Sequence, residues 1–138
     1  MKIPYQVFPD KGGGSLYSAR LYVSIALPYE GAPRTKRFET VVDSGATRCM
    51  FKAGIGRFLG HDIESGEIQR TQGIGGLVSA YMHEISLYVP GGPVKVKAAF
   101  VENLPVSGLL GMSGFFENFI VTFDQSALIF EIERIHRA

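Results

Sequence analysis

Cysteine is nearly missing from this sequence, and neither sign of charge dominates it. Cys49 is the single cysteine, which excludes an internal disulfide and a cysteine-rich zinc site. Lysines and arginines number 14 against 13 aspartates and glutamates, so the formal net charge is +1. Such near-neutrality argues against a nucleic-acid-binding protein, whose affinity would come from neutralising phosphates.

Long apolar runs are also missing, and we expect no signal peptide. No stretch approaches the roughly 18 consecutive apolar residues that a membrane span needs. Residues 1–10 lack the basic start and apolar run of a signal peptide. We therefore expect no membrane association and a reducing, cytoplasmic setting. With 46% hydrophobic and 20% charged residues, the 138 residues are expected to fold as a single domain, 1–138, around a buried core.

Glycine is the residue in excess. There are 17 in 138 residues, or about 12% against the roughly 7% of an average protein. Most of these glycines stand in short clusters between apolar runs, which is typical of a β protein with many tight turns. The pattern predicts a mainly-β domain, either a closed barrel or a sandwich.

Residue patterns place the individual elements. Segments rich in β-branched, aromatic or alternating apolar residues predict strands over Leu16–Leu27, Phe38–Val42, Arg48–Phe51, Val94–Val101, Phe119–Asp124 and Leu128–Ile132. Glu67–Tyr88 contains a glycine cluster between two strand-like arms, which predicts a hairpin. Ala53–Leu59 is a candidate for a short helix, although its two glycines disfavour one. Ser113 is a candidate N-cap for a second short helix over Gly114–Asn118.

Asp43 is the first candidate for chemistry. It follows the apolar strand FETVV and precedes Ser44, Gly45 and Ala46. A carboxylate at the end of a buried strand is costly unless it is hydrogen-bonded. Gly45 allows the chain to turn tightly and to bring a backbone N–H close to that carboxylate. The structural alternative is an aspartate that only closes a turn through its own backbone.

Three motifs in order resemble the retropepsin-like aspartic proteases, the single-lobe relatives of pepsin. They are VVDSGA (Val41–Ala46), TQGIGG (Thr71–Gly76) and GLLGMSGFFENFIVTFD (Gly108–Asp124). The match covers roughly Phe38–Asp124, and it implies a closed β-barrel of the acid-protease type with one short helix near Ser113–Asn118. Two departures are Asp-Ser-Gly in place of the commoner Asp-Thr-Gly, and Thr47 where viral members often have an acidic residue.

The resemblance also implies a role for each matched residue. Asp43 would be the catalytic carboxylate, in an active-site loop with Ser44, Gly45 and Ala46. The hydroxyl of Ser44 would brace the two active-site loops of a dimer against each other. The tip of a flap over the substrate would consist of Ile74, Gly75 and Gly76. The residues lying beneath the active-site loop and supporting it would be Leu109, Leu110 and Gly111.

The chemistry that this family implies needs two carboxylates about one hydrogen bond apart, because one activates a water while the other donates a proton to the carbonyl oxygen. This chain has one Asp-Ser-Gly motif, so the simplest solution is a homodimer with one Asp43 from each subunit. The implied partners are a peptide or protein substrate and a second copy of the chain. No metal or cofactor is implied.

Two other classes of function stay open. The first is a non-catalytic module that keeps the protease fold and binds extended peptides by adding a strand in the cleft. The second is an unrelated small β-barrel with a chance motif. His61, His83 and His136 show no paired metal-ligand spacing and are interpreted as structural, Cys49 as a small core residue. The basic residues Arg34, Lys36 and Arg37 are interpreted as a solvated loop.

Overall fold

A computed structural model describes residues 1–73 and 76–136. The described elements, in chain order, are the strands Lys2–Pro4 (β1), Gln6–Pro9 (β2), Ser15–Ser18 (β3), Arg20–Ala26 (β4), Phe38–Val42 (β5) and Met50–Lys52 (β6), the helix Ala53–Phe58 (α1), the 3-10 turn Ile63–Ser65, and the strands Glu67–Gly73 (β7), Gly76–Tyr88 (β8), Val94–Val101 (β9), Gly108–Leu110 (β10), Phe119–Asp124 (β11) and Ile129–Arg134 (β12).

The strands form three sheets. The largest has the order β4-β5-β10-β6-β9-β8-β7, and β4 pairs with β8 as well as with β5. A second sheet has the order β1-β12-β11, so the first strand of the chain pairs with the last. The third is the hairpin β2-β3. The chain is therefore mainly β, with one short helix among the described residues.

Strand β5, which leads to Asp43, lies inside the largest sheet. It pairs with β4 in the antiparallel sense and with β10 in the parallel sense. Leu109 of β10 stands opposite Val41, and Leu110 opposite Val42. Because both edges of β5 are hydrogen-bonded, the residue that follows it leaves the sheet at a fixed position.

The core lies against the largest sheet and is built on phenylalanine. The largest fully buried side chains are Phe51, Phe100, Phe115, Phe119, Phe130, Ile25, Ile63, Ile85, Leu87, Leu110, Val23 and Thr40. Burying each apolar one contributes about 1.5–3 kcal/mol. Helix α1 packs so closely on this core that a Cβ at Gly56 would lie 2.6 Å from the Ile63 side chain and 2.8 Å from the Phe100 ring.

Several predicted elements are confirmed. Strand β9 has the predicted bounds, and β11 does too. The hairpin predicted within Glu67–Tyr88 is formed by β7 and β8, and the candidate helix at Ala53–Leu59 is α1. Cys49 is fully buried, as expected of a core residue.

The helix predicted near Ser113–Asn118 is wrong. That segment is a run of turns, and the one α-helix of the described chain is α1. The physical reason is Gly114, whose φ of +98° is left-handed and interrupts a right-handed helix. Side chains then satisfy the backbone of Gly114, since Glu117 accepts its N–H at 2.7 Å and Asn118 donates to its carbonyl at 2.8 Å.

The single long strand predicted over Leu16–Leu27 is also wrong. It is divided into β3 and β4, which belong to different sheets and are separated by Ala19. The carbonyl of Ala19 accepts a hydrogen bond from the Val42 N–H at 2.9 Å. The two strands differ in burial, since β3 is mostly exposed and β4 is mostly buried, but both consist of strand-forming residue types, which do not mark the break.

Among the described residues, no helix has the length and apolar character needed to cross a membrane.

Candidate active site around Asp43

The end of strand β5 is fixed by hydrogen bonds of the residues that precede Asp43. Thr40 is fully buried, and its hydroxyl donates to the Leu21 carbonyl at 2.7 Å. Val42 is buried as well, and its N–H bonds to the Ala19 carbonyl. Buried polar groups with partners of this kind hold a strand end in one position.

Asp43 opens a tight turn. Its own N–H donates to the Leu110 carbonyl at 3.0 Å, and its carbonyl accepts the Ala46 N–H at 3.1 Å. Its side-chain Oδ1 accepts the Gly45 N–H at 2.9 Å. An aspartate that accepts the N–H two residues later forms an Asx turn, which orients its carboxylate. The sequence-based expectation of a backbone N–H from Gly45 near this carboxylate is confirmed.

The second carboxylate oxygen of Asp43 is left for another partner. Among the groups that the structure describes, none donates a hydrogen bond to Oδ2, and Asp43 enters no ion pair. The residue is half-buried. A purely structural aspartate would form the same turn. The turn therefore accounts for the orientation of the carboxylate but not for any reactivity, and Oδ2 is the oxygen that could contact another group.

The residues predicted to support the loop lie beside it. Leu110 is fully buried and accepts the Asp43 N–H, while Leu109 is half-buried opposite Val41. Gly111 lies so close to the loop that a Cβ at this position would be 2.8 Å from the Ala46 carbonyl oxygen and 2.6 Å from the Arg48 carbonyl carbon. The φ of Gly111 is not in the left-handed region, so its backbone conformation does not require glycine. Glycine is required here because the neighbouring backbone leaves no space for a side chain.

Sequence reasoning missed two residues that hold the same loop. The Met112 N–H donates to the Ala46 carbonyl at 2.9 Å, and the Ser113 N–H donates to the Thr47 carbonyl at 3.0 Å. Ser113 also forms an isolated parallel bridge with Arg48. No local pattern signals these contacts, because they join segments more than 60 residues apart.

The other predicted residues of the active-site loop are accessible. Ser44 and Gly45 are exposed, and Ala46 is half-buried. Among the residues that the structure describes, none forms a hydrogen bond with the Ser44 hydroxyl. The predicted flap residues Ile74 and Gly75 lie outside the described residues, and the backbone of Gly76 pairs with Gly73 at the end of the hairpin.

Nucleophilic thiol chemistry does not fit the one cysteine near the loop. Cys49 is fully buried, its Sγ lies 3.6 Å from the Ser113 carbonyl, and burial raises its pKa to about 11. The thiol therefore stays protonated at neutral pH. Within the described ranges, no three side chains of histidine, cysteine, aspartate or glutamate are grouped closely enough to hold a metal ion.

Comparison with known proteins gives a structural match and no sequence match. No protein-family model matches the chain, and a search of curated proteins finds no match either. Among solved structures, the chain is similar to a retropepsin-like aspartic protease from Rickettsia conorii, with a TM-score of 0.62 and 20% sequence identity. The two chains share a fold. The match covers 96% of this chain and 97% of the Rickettsia chain, so the shared fold extends over nearly the whole length of both.

Proposed function

We propose that the chain is an aspartic endopeptidase of the retropepsin-like class, which acts as a homodimer on peptide or protein substrates. The observation that supports this most directly is the position of Asp43. Its carboxylate is oriented at the end of a partly buried strand with one oxygen lacking a partner among the described groups, on a fold shared with a retropepsin-like protease. Chain 1–138 is one such domain in this proposal.

The proposed reaction uses two carboxylates that share one proton. The ionised carboxylate takes a proton from water, the water oxygen attacks the peptide carbonyl carbon, and the protonated carboxylic acid donates to the carbonyl oxygen. The C–N bond then breaks as the amine nitrogen takes up a proton. Two carboxylates this close cannot both ionise, which keeps one proton between them.

The second carboxylate is proposed to come from a second copy of the chain. Asp10, Asp62 and Asp124 stand outside the Asp-Ser-Gly context, and Asp124 is already bonded to Ser126 in its own turn. A twofold axis beside the loop would bring two Asp43 side chains together. Exposure of Ser44 and Gly45 in the single chain is consistent with a partner loop on that side.

The remaining parts of the site follow from the same proposal. The hairpin of β7 and β8 would carry Ile74, Gly75 and Gly76 over the substrate, and Leu109, Leu110 and Gly111 would support the loop from below. The pairing of β4 with both β5 and β8 supports closure of the largest sheet into a barrel.

The first experiment replaces the proposed catalytic carboxylate. Asp43→Asn should abolish cleavage of a diverse peptide library, read by mass spectrometry, because an amide cannot remove a proton from water. Asp62→Asn is the matched control, since Asp62 is exposed and its side chain does not cap the adjacent 3-10 turn. Both variants should melt near the parent temperature. Cleavage by Asp43→Asn at the parental rate would refute the assignment.

Subunit mixing tests whether the site is shared between two chains. When equal amounts of parent and Asp43→Asn subunits exchange at random, about half of the parent subunits end up beside a variant. Activity per parent subunit should then fall by about half, whereas an enzyme complete within one chain would keep its full activity. A monomer that binds library peptides without cleaving them would instead indicate the non-catalytic peptide-binding module.

A further inference from the structure

A groove beside helix α1 lies apart from the candidate active site. We call it the α1 groove. Its volume is about 400 Å³, and the lining side chains that matter here are those of Lys36, Arg37, Phe38, Ile55 and Phe58. It lies at the start of β5, whereas Asp43 follows the end of that strand, and five residues of strand span roughly 17 Å.

The floor of the α1 groove is apolar. Phe58 is 80% exposed, the most exposed large hydrophobic side chain of the described chain. It stands beside Ile55 and Phe38, which are only half-buried. Single exposed apolar side chains are ordinary, but three that line one concavity form a surface that a partner's apolar side chain would cover.

One wall of the α1 groove carries positive charge without a counterion. Lys36 and Arg37 are exposed, and neither forms an ion pair with any residue in 1–73 or 76–136. Arg37 only approaches the Tyr22 ring, at 5.9 Å. By contrast, Arg57 of the same helix is bonded to Glu64 and Glu102. The unneutralised charge on this wall is complementary to carboxylates.

The α1 groove continues past the start of the helix. A second depression of about 390 Å³ meets the first at Gly54 and Ile55, and its lining includes Val101, Leu104 and Glu102, whose carboxylate is paired with Arg57. Gly54 is exposed, and a Cβ there would meet no heavy atom within 4 Å. Because Gly54 has no side chain, a shallow passage connects the two depressions. An extended peptide segment fits such a passage better than a compact ligand does.

We propose that the α1 groove binds an extended segment of a second protein that carries an aliphatic or aromatic anchor flanked by acidic residues. The anchor would lie on Phe38, Ile55 and Phe58, and the flanking carboxylates would pair with Lys36 and Arg37. This site is separate from the loop that carries Asp43, so it does not depend on the proposed protease activity.

A fluorescein-labelled hexapeptide with a central Leu-Phe pair and two glutamates on each side is the probe. All proteins carry Asp43→Asn, so that the peptide is not cleaved, and binding is followed by fluorescence anisotropy. The glutamate peptide should bind at least about tenfold more tightly than the same peptide with lysines. Equal affinity for the two peptides, or no binding of the glutamate peptide at 1 mM (roughly the weakest affinity of interest), would overturn the proposal.

Gly54→Glu blocks the passage without harming the fold. The added side chain has open space, glutamate favours a helix over glycine, and the first turn of α1 has no acidic residue. Affinity for the glutamate peptide should fall at least about tenfold. Gly12→Glu makes the same change at another glycine with open space and no left-handed φ, and should leave the affinity unchanged. Parental affinity in Gly54→Glu would place the peptide elsewhere and refute the site.

Charge reversal gives an independent measurement. Lys36→Glu with Arg37→Glu should weaken binding of the glutamate peptide at least about tenfold. Lys11→Glu with Lys95→Glu makes the same change at two exposed lysines elsewhere and should have little effect. An equal loss in both double variants would reveal general charge attraction and overturn the proposal. Sedimentation with phosphatidylserine vesicles, without peptide binding, would assign the surface to a membrane instead.

Discussion

Gly111→Ala tests the contact that holds the Asp43 loop against strand β10. A methyl group at this position would be placed among main-chain atoms: the Ala46 carbonyl oxygen at 2.8 Å, the Arg48 carbonyl carbon at 2.6 Å and, closer still, the Arg48 carbonyl oxygen. Contacts under 3.0 Å are not tolerated by a real Cβ, so the loop or the strand must move. Backbone atoms cannot rotate away as a flexible side chain would.

The expected loss of stability is about 2 kcal/mol. Overpacking a close contact costs about 1–3 kcal/mol, and main-chain neighbours place this case at the upper end. Replacing glycine by alanine also restricts the unfolded chain, which returns about 0.4–1 kcal/mol where the native φ is accessible to alanine. For a domain of this size, each kcal/mol shifts the melting temperature by about 4 °C, so Gly111→Ala should melt about 8 °C below the parent.

The assay is thermal unfolding followed by far-ultraviolet circular dichroism, with Gly54→Ala as the matched control. The same methyl group meets nothing within 4 Å at Gly54, and alanine is favoured over glycine in a helix by about 0.5–1 kcal/mol. That control should melt about 2–4 °C above the parent. If Gly111→Ala melts at or above the parental temperature, Gly111 is not in the close contact described here and the reasoning fails.

Two further predictions concern titratable groups whose pKa is shifted by full or partial burial. Cys49 should not react with an aromatic disulfide reagent in the folded protein, because it is fully buried and its pKa is raised to about 11; reaction as fast as in urea would contradict this. Burial, helped by the His83 ring at 4.5 Å, lowers the pKa of His61 from 6.5. The unfolded chain then binds the proton first, so stability in urea should fall as pH drops below about 6.5. His61→Gln should reduce that fall, and an undiminished fall would refute the assignment.

Local patterns predicted the elements that depend on local sequence. Strand β9 alternates clearly at its start and is bounded by Pro93 and the turn after Val101, so its limits could be read from the chain. The β7–β8 hairpin was found through its glycine cluster. The helix near Ser113 was misplaced because a capping serine and a left-handed glycine at 114 compete, and the sequence does not rank one above the other.

Non-local pairing was beyond the sequence. The parallel pairing of β10 with β5 joins Leu110 to Val42, and the pairing of β1 with β12 joins Lys2 to Glu131. The residue pattern of each strand shows that it is a strand, but it does not show which distant strand will pair with it. The place of Asp43 at a strand end could be predicted because it depends on neighbouring residues. The backbone contacts from Met112 and Ser113 that hold its loop could not, because they come from a distant segment.

Hydrogen bonds within the single chain hold the Asp43 loop. Backbone groups of the loop are hydrogen-bonded to Leu110, Met112 and Ser113, and Oδ1 of Asp43 accepts the Gly45 N–H. In the proposed homodimer, folding of the single chain and assembly of a dyad would therefore be separate steps, and the second would depend on protein concentration. It follows that diluting the protein should remove activity while the circular dichroism spectrum stays unchanged, whereas Gly111→Ala should lower both the activity and the melting temperature.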